Sequence, residues 1–491
     1  MRHVHTPQSI CRAGLARCDV TPPVGIYHRL WGAATHESAT GIHRPLTATA
    51  MVFQAEGLGP TLETQQVIVA VDHCLLWARE MDELLTSVAG QTGIAQEQLA
   101  ITFSHTHSGG FLDTSRSHLP GGDLIRPYLD DLARKIAAIV RVAQATTRPV
   151  TLTYGAGRCA LAANRDYLDE ARGEYVCGFN PDGPADDTVL AIRVSDPAGR
   201  MVATIVNYAC HPTTLAWENT LISPDYPGAM REVIEQATGA PCVFLQGACG
   251  DIGPREGFVG DPEVADRNGR QLGYAVLATL ETLPPPRTRF QYSGPVVSGA
   301  TLGAWEHVPL DEAAQQGKGR WRLRRWTIDL RYRPEVPTLE QTRAARARWF
   351  EEEESARNAG DQKKARDCHA LVEREDRWLL RLSTLPTSGH FPFPVVLWQM
   401  GDALWLAVEA ELYNVFQRAL RQRCPGVPLV VMTLLNGSRP TYLPPAEVYG
   451  KNIYQESIAV LAPGSLEQLI DGVGRQIDQW LAASREARSG T

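Results

Sequence analysis

The sequence predicts an α/β fold: an α/β/α sandwich with a mixed, mostly parallel central sheet and helices on both faces. Three observations carry the α/β sheet. Short apolar runs such as QVIVAV (66–71) and VATIVNY (202–208) have strand length and β-branched content. Between such runs lie amphipathic stretches. In 128–146, Leu129, Leu132, Ile136, Ile139 and Val140 share one helical face. The two kinds of stretch alternate over most of the 491 residues, as they do when helices layer on a sheet.

In chain order, residues 1–12 read as a loose leader. A short strand in 14–25 runs into a turn stiffened by Pro22 and Pro23. Strands follow at 47–53 and 66–71, the second ending in Asp72, and then a helix closing near Gly93. LAITF (99–103) alternates as a strand and leads into His105-Thr106-His107. After the helix at 128–146 come strands at 151–154, 189–194 and 202–208. A proline-stiffened turn at 223–228 starts a helix through Glu235. The strand 242–245 runs into the glycine-rich turn 246–251, and 268–283 reads as a helix. Residues 338–384 are rich in Ala, Arg, Glu and Lys, broken at 358–361. They read as a helical-hairpin insertion whose charges form a solvated face. A strand at 403–408, a helix to about 422, a strand at 429–434 and a last helix from Ser465 to 482 complete the chain.

Composition narrows the function. Hydrophobic residues make up 44% and charged residues 21%, as in ordinary globular proteins. The net charge is −7 and no basic stripe is present, which argues against nucleic acid as a partner. No run of eighteen apolar residues is present, so no transmembrane segment is expected. The N-terminus lacks the apolar stretch of a secretory signal. The ten cysteines are scattered without a C-x₂-C pair, so reduced thiols in a cytoplasmic protein are expected.

At least five strand-like runs end in polar residues: Asp72, His105 with His107, His211, Asp251 and Glu411. In α/β sheets such ends line the crevice where ligands bind, so these five are expected to converge. Residues two apart on extended backbone face one way, so His105 and His107 can enter one space and suit Zn²⁺. His211 is equally readable as a ligand or as a hydrogen-bonded histidine. Glu409 and Glu411 share a side, and the pattern does not choose between them. Asp72 is a candidate to orient a ligand histidine from behind. Gly247, Gly250 and Gly253 are turn formers or a source of N–H groups for an oxyanion.

Six short motifs occur in order: GLARCDVTPPVG, SHTHSGG, NYACHPT, SPDYPG, LQGACGDIGP and the NG…Tyr442…Tyr454 loop. Together they resemble the neutral, non-lysosomal ceramidase family over about residues 13–470. The resemblance implies a zinc amidase on an α/β/α sandwich. It implies His105, His211, Glu411 and Tyr442 as zinc ligands, choosing Glu411 over Glu409. It further implies His107 facing the substrate, Tyr454 at the scissile carbonyl and Arg165 beside the reacting group.

The sequence departs from the family in two ways. The family's Gly-Asp-x-Ser-Pro run carries its serine nucleophile. Here the run is Gly250-Asp251-Ile252-Gly253-Pro254, and Gly253 offers no nucleophile. A positive φ at Gly253 would explain a glycine there. The family's C-terminal β-sandwich domain is also not expected, which leaves one catalytic domain over 13–484. The expected activity is zinc-dependent hydrolysis of a linear amide in a small or lipid-like N-acyl substrate by a metal-activated water. The alternatives are a zinc-dependent esterase or lactonase, or a non-catalytic ligand-binding relative.

Overall fold

A computed structural model describes residues 2–489, with side chains through 483. The large sheet contains β1 (Gln8–Asp19), β2 (Thr47–Gln54), β3 (Gln65–Val71), β4 (Leu99–Phe103), β5 (Arg148–Arg158), β6 (Thr188–Ser195), β7 (Met201–Tyr208) and β8 (Cys242–Gln246). Its strand order is β8-β7-β6-β5-β1-β2-β3-β4. Helices α1 (Ala78–Thr92), α2 (Ile125–Ala145), α3 (Tyr226–Thr238) and α4 (Pro262–Glu281) cover one face.

The expected class, α/β with a large mixed sheet and helices, is what the chain adopts. The sheet is not mostly parallel, however. Only the outermost pairs, β7 with β8 and β3 with β4, run parallel. The five inner pairs are antiparallel. The cause lies in the connections. A helix bridges β3 to β4 and β7 to β8, which allows a parallel return. Short turns, 55–64 and 196–200, bring β3 back along β2 and β7 back along β6.

The layering also differs from three layers. A second sheet, in the order β9 (Trp321–Arg331), β10 (His390–Met400), β11 (Ala403–Val408) and β12 (Leu429–Met432), lies on the other face of the large one. Alternate residues of each strand face opposite ways. Thus Trp398, Met400, Trp405 and Met432 meet Phe53, Ile68, Leu152 and Ile192 of the large sheet. Leu397, Leu404, Leu406 and Val431 point away, into helices α7 (Val415–Arg423) and α8 (Ser465–Ser489). The order of layers is therefore helix, sheet, sheet, helix. Trp398 and Trp405 stack at 5.9 Å in the interface, and Trp405 Nε1 donates to the Tyr154 hydroxyl at 3.2 Å. Prolines 392 and 394 hid β10 in the sequence.

The expected leader is partly strand. Gln8–Ala13 pair with β5 in the middle of the sheet, and Gln8 N–H donates to Asp402 Oδ2 at 3.0 Å. The polar start at Gln8-Ser9 and Gly14 masked the strand's alternation. Gly14 serves packing: a Cβ there would lie 1.9 Å from Ala143 O of α2.

The helical hairpin forms as expected, from α5 (Leu339–Asn358) and α6 (Gln362–Thr384). Thr338 and Gln341 cap α5 reciprocally, and Gly360 turns at φ 76°. α5 is largely exposed. α6 buries Val372 and Trp378, and its Glu373 accepts from Arg29 Nε at 3.2 Å. The hairpin thereby reaches the cavity described next.

Candidate metal centre and its cavity

His105, His211 and Glu411 meet at buried ends of strands from both sheets. His105 and Glu411 follow β4 and β11, and His211 follows β7. In the strand order β4 and β7 are far apart, but the large sheet coils until its edge strands β4 and β8 touch. His105 Nε2 lies 2.9 Å from His211 Nε2 and 3.0 Å from Glu411 Oε2; His211 Nε2 lies 3.2 Å from that same oxygen. Glu411 and Tyr442 are partners in a short parallel ladder. Tyr442 OH is 3.4 Å from His211 Nε2.

The structure brings His105 and His107 together, with ring centroids 4.9 Å apart. Strand alternation is not the reason. β4 ends at Phe103, and His105 turns at φ 70°, a conformation that costs a non-glycine residue about 1–3 kcal/mol. Its N–H donates to His73 O at 2.9 Å, which holds the turn.

The donor chemistry fits a cation. His105 Nδ1 lies 2.7 Å from Cys74 O, and His211 Nδ1 lies 2.7 Å from Cys249 O. A carbonyl only accepts, so both Nδ1 atoms carry the proton and both Nε2 atoms present lone pairs. Two lone pairs and a carboxylate facing one another at about 3 Å repel unless a cation joins them. His, His and Glu form a common zinc donor set. Cys74, His105 and His107 form a second close group, but there the Nδ1 of His105 is already committed to Cys74 O. Burial, with Arg165 and His105 nearby, lowers His211 to about 3. With a proton in the place of a cation the same attraction shows: burial opposes charge on both groups, yet Cys74 and Glu411 push His105 well above 6.5, and His105 in turn holds the Glu411 carboxyl well below the usual range.

His107 is different. Its Nε2 is buried without a partner, and its ring lies 5.2 Å from that of Trp31. Burial and the neighbouring His105 and His211 keep it well below 6.5, hence neutral. It lines a cavity of about 290 Å³ together with His105, Glu411, Tyr442 and Tyr454. Trp31, Trp77 and Phe111 supply apolar wall. Tyr454 is half exposed, and its ring lies 6.0 Å from that of Tyr442.

Other expected residues lie elsewhere. Asp72 does not reach a ligand histidine: it takes both guanidinium nitrogens of Arg231, at 3.0 and 2.6 Å, and the Thr47 N–H. Backbone carbonyls do the orienting instead, which side-chain motifs could not reveal. Asp251 accepts from Asn414 N at 2.6 Å, outside the ligand cluster. Glu409 is held by Arg439 through two contacts of 2.9 Å, which leaves Glu411 for the histidines. Arg165 reaches the cluster from behind, donating through Nη2 to Tyr442 OH at 3.0 Å and Gly250 O at 2.7 Å. The N–H groups of Gly247 and Gly250 are taken by Tyr208 O and Leu412 O, so neither is free for an oxyanion. Gly253 has no positive φ, against expectation; a Cβ there would make only ordinary contacts with Thr213 Oγ1 at 3.7 Å and Arg165 Cδ at 3.8 Å.

Fold and site together define a two-sheet α/β protein with a histidine–carboxylate centre at its strand ends. Residues 12–256 match the family model described as neutral/alkaline non-lysosomal ceramidase, N-terminal, and the chain belongs to that family. Neutral ceramidase of Pseudomonas aeruginosa is 25% identical over 252 residues, covering 50% of this chain and 37% of that protein. Neutral ceramidase A of Dictyostelium discoideum is 23% identical over 223 residues, covering 43% and 30%. The matches thus span about a third of the length of these relatives. The crystal structure of the Pseudomonas aeruginosa neutral ceramidase superposes with a TM-score of 0.64 at 17% identity, covering 96% of this chain and 74% of that one.

Proposed function

We propose that this protein is a zinc-dependent hydrolase of a linear amide in a small or lipid-like N-acyl compound, with water as the nucleophile. The observation that carries this reading is the set of inward-facing donors, His105 Nε2, His211 Nε2 and Glu411 Oε2, beside the free Nε2 of His107. Membership in a family named for ceramidases supports the amide bond as the target. Tyr442 completes the ligand set, with Arg165 fixing its phenol.

Bound Zn²⁺ would supply a Lewis acid for the carbonyl and lower the pKa of a water. His107, neutral and unpartnered, accepts a proton at Nε2 from the attacking water and returns it to the departing nitrogen. Tyr454 donates to the carbonyl oxygen as negative charge develops there. Trp31, Trp77 and Phe111 seat the acyl portion and keep bulk water out. Gly253, where the family motif has serine, leaves that position without a hydroxyl. We further assign the protein to a reducing, cytoplasmic setting, which suits its ten free thiols.

The test combines elemental analysis of the purified protein with turnover of matched N-acyl amides and esters. About one zinc per chain and cleavage of amides is the expected result. Ester cleavage alone would move the assignment to an esterase, and no cleavage with zinc absent would reject it.

A further inference from the structure

The cavity wall has an unusual charge balance. Among the described lining residues Glu411 is the only carboxylate, and it belongs to the metal-binding cluster. Three arginines face it: Arg377, Arg381 and Arg439. Arg439 is neutralised by its two contacts with Glu409. The other two come from the helical hairpin, one turn apart on α6, so they share a face.

Arg381 is 6% exposed, and its Nε and Nη1 atoms are buried without any hydrogen-bond partner. Its guanidinium packs on Trp378, with Cζ 4.6 Å from the ring centroid. A buried guanidinium with open donors is costly, and native proteins seldom leave such groups unmatched. Burial pulls Arg381 down to about 10, which still leaves it charged at neutral pH. The hairpin is otherwise dense in ion pairs; Arg346 with Asp376 and Arg357 with Glu353 are examples. The pairing fails where the helix meets the cavity.

We propose that the substrate carries a carboxylate, which Arg377 and Arg381 bind in the same cavity as the histidine–glutamate cluster. This rests on the N-acyl hydrolase reading and narrows it. Planar guanidinium forks match a planar carboxylate, and charge-assisted contacts of this kind are the strong ones. The binding energy is gained away from the reacting bond, so the pair selects substrates by their charged end. The hairpin would then set specificity, while the strand ends carry the chemistry.

Two matched pairs of probes test this. N-octanoylglycine and N-octanoylglycinamide differ only in a carboxylate on the amine side. The N-butyl monoamide of suberic acid and its methyl ester differ in one on the acyl side. Binding is measured by calorimetry on the protein as isolated, and cleavage by product analysis. The wild-type protein should bind the acid of one pair about 10–100-fold more tightly than its neutral partner. Arg381→Gln should bring that ratio to within about threefold of one, and Arg377→Gln should lower it too. Arg381→Lys should keep an intermediate ratio, and Arg366→Gln, exposed on the same helix, should keep the full one. Arg377→Gln reads the same ratio if Arg381→Gln does not fold. Acid and neutral probes bound equally in both pairs would overturn the proposal, as would a preference that survives both glutamine variants. An acid preference that is lost in Arg381→Gln, without cleavage of any probe, supports the carboxylate site and rejects the hydrolase reading alone.

Discussion

Replacing Gly253 by Ser restores the hydroxyl that the family motif carries, and the structure sets what the change should do. The backbone there is ordinary, so no left-handed strain opposes a side chain. The added Cβ meets Thr213 Oγ1 at 3.7 Å and Arg165 Cδ at 3.8 Å, both ordinary van der Waals distances. Losing a glycine reduces unfolded-state freedom, worth about 0.4–1 kcal/mol in favour of folding. Thr213 Oγ1 has no partner, and a new hydroxyl beside it adds a hydrogen bond of about 0.5–1.5 kcal/mol at best. Desolvating that hydroxyl costs a similar amount. Gly253→Ser should therefore change stability by no more than about 1 kcal/mol, a shift in Tm of roughly 2 °C or less. Turnover should not rise, because Gly253 is not among the residues lining the cavity. The assays are thermal unfolding and intact-protein mass spectrometry during rapid-quenched turnover. A loss of 3 kcal/mol or more would refute the packing argument. A burst of product with an acyl adduct on the variant would refute the claim that this position lies apart from the reacting carbonyl. An adduct on the wild-type chain would refute attack by water.

His211→Ala and His105→Ala should each empty the metal site, whereas His107→Ala should keep the metal and lose about 10²–10⁴-fold in turnover. Elemental analysis beside kinetics reads both, and full zinc in the first two variants would sink the ligand assignment. Asp72→Asn should destabilise by about 3–5 kcal/mol, since it leaves the buried Arg231 without its counter-charge, while metal content stays at the wild-type level. A denaturant titration with metal analysis separates this from a ligand-orienting role, in which zinc would be lost instead. Burial holds both His28 and His73 at about 4, below the 6.5 of an unfolded chain. Between those values the unfolded state binds more protons, so stability is present above pH 6.5 and falls as pH drops towards 4. His28→Gln should flatten that fall in urea titrations at pH 7 and 5; an unchanged slope would contradict it.

Strand and helix positions were largely legible because periodicity marks a buried face directly. QVIVAV, VATIVNY and the 128–146 helix were read within a few residues of their observed bounds. Pairing direction was harder, since it depends on connections: 55–64 is a turn, and no local pattern says which neighbour it serves. The second sheet was lost at His390–Met400, where alternating prolines resemble a loop. In the site, histidines at strand ends were visible as residue types. Their orienters were not, because Cys74 O and Cys249 O are backbone atoms with no signature in sequence. Alternation alone left Glu409 and Glu411 equivalent and the family resemblance chose Glu411; the physical reason, Arg439 holding Glu409, has no local signature in sequence. Arg381 carried a signal that went unread: a charge inside the apolar stretch Trp378–Leu382 is out of place on a solvated face.

The cluster draws its side chains equally from the two halves of the chain. His105 and His211 hang from the large sheet, while Glu411 follows the last residues of β11 and pairs with Tyr442 in a short ladder beyond the second sheet, and 200 positions separate His211 from Glu411. The segment matched by the family model stops at residue 256 and so contains only the two histidines. Neither half of the polypeptide can assemble the centre by itself. Retention of an ion would then report that the sheets have docked in register, and an ion in place would rivet them. On the proposed reading, a nascent chain could not close the centre until synthesis had passed Glu411.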